Sequence, residues 1–204
     1  MKRLIIALVL LIAPSAHAGP LDWTQGFTTD YASRLAGAND MWDAGTYTFD
    51  ASATHNHALW ETGGDATGDG TFMLVNGVDD GQNSLVWGKQ LTNQSSFSLW
   101  AKNLCCVDKT GRMGPLLEFW FDGFKMSDIV TDGPGVWDFF TFIPPIFQGT
   151  HLFEVRNGST VYDGNDFGLD AVGATPTPEP ATVLLLGTGM LAAWRARRRI
   201  GTRA

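Results

Sequence analysis

Positive charge is scarce in the middle of this chain. Of its 14 Lys and Arg, two open the sequence as Lys2-Arg3 and five follow Trp194, so seven serve everything between. All 21 Asp and Glu lie between Asp22 and Glu179, which leaves the body near −14. Such a body repels phosphate backbones and excludes nucleic acid as a partner. Its acidity would draw divalent cations or cationic partners, or would simply keep the body soluble. The shortage of cations also suits a polysaccharide lyase badly, because that chemistry wants Tyr, His, Lys or Arg beside a sugar acid.

Other absences narrow the chemistry. There is no Gly-x-Ser-x-Gly elbow and no glycine loop ending in Lys-Ser/Thr, so the sequence offers neither signature. Histidine is rare. His55 and His57 share a face if that stretch is extended, but zinc needs a third protein ligand and none stands nearby. His151 alternates with Phe153 and reads as structural, and His17 belongs to the leader. Glu61, Glu118 and Glu154 are the glutamates a glycoside hydrolase could pair, yet strand positions alone do not pair them. Cysteine is confined to the adjacent Cys105-Cys106. Neighbouring Cα atoms about 3.8 Å apart fall below the usual disulfide range. A vicinal disulfide therefore demands a strained turn, and free thiols or pairing between chains stand as alternatives.

No body segment sustains a helical period over three turns; Tyr31 to Met41 is the best helix candidate, and it is short. What is present instead is a series of short alternating runs between turn residues. They are Gly45–Asp50, Thr71–Asn76, Ser84–Gly88, Ser96–Lys102, Leu116–Asp122, Val136–Ile143, His151–Arg156 and Asp166–Val172. Phe97, Leu99 and Ala101 point one way, with Ser96, Ser98 and Trp100 opposite. Leu117, Phe119 and Phe121 point one way, with Glu118 and Trp120 opposite. About eight such strands, without internal repeat or second domain, predict an all-β body: a β-sandwich of jelly-roll type.

The two ends are of another kind. Lys2-Arg3, the apolar Leu4 to Ala13 and the small-residue site Ala16-His17-Ala18 read as a signal peptide over residues 1–18. Residues 19–173 are then the sandwich domain and 174–180 a stiff Pro-rich linker. Residues 181–204 form a short transmembrane segment with an Arg-rich cytoplasmic end. Its apolar run, Ala181 to Trp194, would span about 21 Å as a helix against a bilayer core of about 30 Å. Arginine snorkelling could extend it. The positive-inside bias places the arginines in the cytoplasm and the body outside.

Pro178-Glu179-Pro180, the short spanning run and the Arg-rich end together resemble the PEP-CTERM sorting signal of Gram-negative bacteria, a region also labelled the ice-binding protein C-terminal domain. The resemblance implies export across the inner membrane and an exosortase-type processing enzyme as partner. It also implies association with the cell envelope and its exopolysaccharide. In the body, His57 to Gly77, Asn165 to Val172 and Gly26-Phe27 resemble the galactose-binding-like jelly roll of carbohydrate-binding modules. That resemblance implies a structural calcium ion, with Asp30, Asp65, Asp69 and Asp170 as the matching positions; Ala171 stands where the family often has a second acid. Solvated turn carboxylates are the other reading of these residues.

Seven tryptophans remain in the body: Trp23, Trp42, Trp60, Trp87, Trp100, Trp120 and Trp137. Trp100 and Trp120 lie opposite the apolar faces of their strands, which makes them candidates for an outer sugar-stacking platform. Large aromatics also belong in cores. The expectation is a non-catalytic envelope protein that binds carbohydrate. A structural matrix protein without a defined ligand, or a polysaccharide hydrolase, are the alternatives.

Overall fold

A computed structural model describes residues 23–34, 43–50, 64–105, 115–146, 148–160, 165–177, 187–192 and 194. Ten strands are described: β1 (Ala32–Ser33), β2 (Thr46–Asp50), β3 (Phe72–Asn76), β4 (Ser84–Thr92), β5 (Gln94–Asn103), β6 (Leu117–Phe121), β7 (Phe124–Ile129), β8 (Trp137–Phe142), β9 (Thr150–Asn157) and β10 (Phe167–Pro176). They form a six-stranded sheet in the order β1-β2-β3-β10-β5-β8 and a four-stranded sheet in the order β4-β9-β6-β7. Among the described strand pairs only β1–β2 is parallel.

Alternation decides which side of each strand is buried, because successive side chains point to opposite faces. Phe97, Leu99 and Ala101 of β5, Leu117, Phe119 and Phe121 of β6, and Phe153 and Val155 of β9 all join one core. Phe97 of the six-stranded sheet stacks on Phe119 of the four-stranded sheet at 5.4 Å and lies 5.5 Å from Phe153. Phe142 of β8 stacks on Phe119 at 4.1 Å. The body is thus a two-sheet β-sandwich closed by an aromatic seam.

All eight expected strands occur, and three details differ. The start of the Tyr31–Met41 helix candidate is β1, paired with β2, while residues 35–42 lie outside the described set. Tyr31 is buried, its hydroxyl accepting from Asn157 Nδ2 at 3.0 Å. β7 had no alternation to betray it, since it is an edge strand with exposed Phe124, Lys125 and Met126. Finally, β10 runs past Val172 into the expected linker: Ala174, Thr175 and Pro176 pair with Phe97, Ser96 and Gln94. Pro176 is tolerated because β3 pairs with β10 only at Phe167 to Leu169, so the other side of β10 is open there.

Residues 187–192 of the tail are helical and exposed. No helix among the described residues is long and apolar enough to cross a membrane. The leader, Pro178-Glu179-Pro180, Cys106, Trp42, Trp60, Glu61, His55 and His57 lie outside the described residues.

Candidate functional site

Trp100 and Trp120 both point away from the core, but from different sheets. Pairing places Trp100 on the six-stranded sheet beside Phe139 and Asp170, and Trp120 on the four-stranded sheet opposite Glu154. They cannot share one platform. The two outer faces also differ chemically.

On the six-stranded sheet, the outward positions of β5 and β8 meet as pairs: Ser98 with Thr141, Trp100 with Phe139, Lys102 with Trp137. The Trp100 and Phe139 rings lie 5.1 Å apart, and Phe139 is 55% exposed. This is an open aromatic pair flanked by hydroxyls. Towards β10 the face closes over. Phe72, Leu74, Leu104 and Cys105 form a second small core outside the sheet, with Trp137 packed against it. Cys105 is disulfide-bonded.

Lys102 is fully buried under this cover, although its phase with Trp100 reads as an exposed position. Its ammonium donates to the Gly64 carbonyl at 3.2 Å, which also accepts from Trp137 Nε1 at 3.0 Å. It stands 4.4 Å from the Trp137 ring centre and 5.1 Å from that of Phe72. Burial pulls its pKa down to about 8, against the opposing pull of Asp170 and Asp65.

Asp170 is buried on the same face. Its Oδ2 accepts the Ala66 N–H at 2.7 Å and its Oδ1 the Ala171 N–H at 2.6 Å. Burial raises its pKa, its two N–H partners oppose this, and Asp69 and Asp65 add to the rise. Asp65 Oδ2 accepts the Gly70 N–H at 2.9 Å, a bond that holds its carboxyl below the usual range. Asp69 Oδ1 caps Thr71 N at 3.0 Å. Asp30 stands apart, accepting the Leu85 N–H beside β4. The four aspartates therefore do not meet at one point. Among the described residues no three His, Cys, Asp or Glu side chains come together to hold a metal ion.

The four-stranded sheet carries ion pairs outside. Glu118 accepts from Trp120 Nε1 at 2.8 Å and from Lys125 Nζ at 2.6 Å. Glu154 takes Arg156 Nη2 at 2.7 Å, and the Arg156 guanidinium lies 4.9 Å from the Trp120 ring centre. Both carboxylates are buried. Trp120 is thus already stacked by a cation of its own sheet, whereas among the described residues none stacks on Trp100. Phe139 and Lys102 were not singled out in the sequence. The alternation of Trp137-Asp-Phe-Phe-Thr-Phe142 could have found Phe139; no local pattern marks a lysine that tertiary packing will bury.

No curated protein matches the chain. One solved structure with similarity is a family 35 carbohydrate binding module from an environmental isolate. It has 11% identity over 60% of this chain and 88% of that one, with a TM-score of 0.33, too distant to assign a ligand. Residues 176–199 match the family model for the PEP-CTERM protein-sorting motif. That stretch includes Pro178-Glu179-Pro180, the apolar run and four of the arginines. The chain carries a PEP-CTERM protein-sorting motif at its C-terminal end, the mark of a protein exported and handled by an exosortase.

Proposed function

We propose that the protein is a non-catalytic carbohydrate-binding component of the Gram-negative cell envelope, with a jelly-roll body delivered by the tail. The observation that carries the binding reading is the open Trp100–Phe139 pair beside Ser98 and Thr141. Sugar rings stack their C–H faces on such aromatics, and flanking hydroxyls can fix the sugar's own. The ion-paired, buried state of Glu118 and Glu154 favours binding over hydrolysis, since neither carboxyl is open to a substrate. The envelope polysaccharide is the expected ligand class. The exosortase is the processing partner, and the apolar tail run holds the protein at the inner membrane before or instead of cleavage.

A glycan array on the exported protein tests this. Saturable binding to a few glycans is expected, abolished by Trp100→Ala with Phe139→Ala and retained in Trp120→Ala, with no reducing ends released. Binding that survives the double change rejects this face.

A second reading, a structural matrix protein, draws on the apolar residues exposed on and beside the edge strands β7 and β8: Phe124, Met126, Phe139, Ile143 and Ile146. Concentration-dependent self-association without glycan selectivity would favour it.

A further inference from the structure

The loop over residues 64–71 meets buried Asp170 through the Ala66 N–H and carries half-buried Asp65 and exposed Asp69 near it, and the buried carboxylate needs an opposite charge. Two kinds of cation could serve, and they want different walls. Calcium takes six to eight oxygen ligands. An ammonium donates to one or two oxygens and is content over aromatic faces.

The walls here are of the second kind. Both Asp170 oxygens are engaged by the Ala66 and Ala171 N–H groups. Asp65 Oδ2 is engaged by Gly70. Asp30, the fourth expected ligand, is bound at Leu85. Beside them stand the Gly64 carbonyl and two rings, Trp137 and Phe72, set edge to face at 5.5 Å. The Lys102 ammonium lies against all three. Strand register places it diagonal to Asp170 on one face: Gly168 faces Lys102 and Asp170 faces Trp100. Asp170 and Asp65 pull its pKa upward against burial.

We infer that Lys102 is the built-in cation of this loop, supplying at the outer face of the six-stranded sheet the charge that a bound calcium ion would otherwise have to supply. The lysine ties the loop to the sheet through Gly64 and balances Asp170 and Asp65 across it. The inference is independent of whether the neighbouring Trp100 takes a sugar.

A thermal-unfolding study of the exported protein tests it in two arms. In the first, wild-type protein is scanned in EDTA and in millimolar calcium chloride. An unchanged melting temperature is expected, and a rise of several degrees with calcium, reversed by EDTA, would overturn the inference. In the second, Lys102→Met, Asp170→Asn and the double variant form a cycle. The double variant should lose clearly less melting temperature than the two single losses summed, because each single change strands the partner's charge. Strict additivity would overturn the inference. If Lys102→Met does not fold, Lys102→Gln, which also removes the charge, replaces it in the cycle, and the calcium arm is read beside it.

Discussion

His151 shows what one side chain contributes. Its Nδ1 lies 2.7 Å from Asp122 Oδ2 and its Nε2 2.8 Å from the Gln148 carbonyl. A carbonyl and a carboxylate both accept, so the ring serves them best with a proton on each nitrogen. The Asp122 hydrogen bond first, and the Gln148 carbonyl second, raise the imidazole pKa above its ordinary value of 6.5. A folded pKa above the unfolded one means stabilisation that is complete below about 6.5 and fades as pH rises through the folded value. The melting-temperature gap between wild type and His151→Gln should therefore be widest near pH 6 and shrink towards pH 9. A gap that grows with pH would contradict the imidazolium. Gly77 is constrained differently. A Cβ there would lie 2.1 Å from the Asn165 backbone oxygen, so Gly77→Ala must displace backbone. A loss of about 1–3 kcal/mol in urea unfolding is expected.

Among the elements, the β6–β7 hairpin is the most instructive. It turns through Asp122 at φ 49° and Gly123 at φ 80°, and consecutive left-handed residues suit an Asp-Gly hairpin turn. Asp122 Oδ1 also accepts the Leu152 N–H, which ties the turn to β9. Gly123→Val puts a β-branched residue at positive φ and should cost about 1–2 kcal/mol, read as a lower urea midpoint with an unchanged slope. β6, before the Asp122-Gly123 turn, alternated well in the sequence. β7 after it was not legible, because an exposed edge strand needs no apolar side to face a core. β10 shows the reverse problem. Its pairing partner β5 continues to Gln94, so Thr175 and Pro176 are held as strand despite a composition that reads as linker.

At the scale of the whole molecule, the aromatic seam joins the sheets and the tail gives the address. Phe119 stacks against both Phe97 and Phe142, so Phe119→Ala should cost about 3–5 kcal/mol in equilibrium unfolding. Replacing Pro178-Glu179-Pro180 with three alanines should leave the melting temperature of the body unchanged and alter the size of the exported product. Unchanged processing would instead favour an ordinary weak anchor. The inward residues of the seam were readable because burial on one face imposes a period of two. The candidate site was readable only in part. Trp100 declared itself by facing away from that period, but nothing local could say that Phe139 would flank it, or that Trp120 would belong to the other sheet beneath Arg156.

The order of residues alone determined the all-β class, the faces of the main strands and the sorting tail, because each depends on neighbours in the chain or on a short contiguous run. Which strands lie side by side, which outward positions are covered, and why Lys102 ends between Trp137, Phe72 and the Gly64 carbonyl were decided by tertiary structure. Those contacts join residues dozens of positions apart, and only the closing of one sheet over another determines which of them meet.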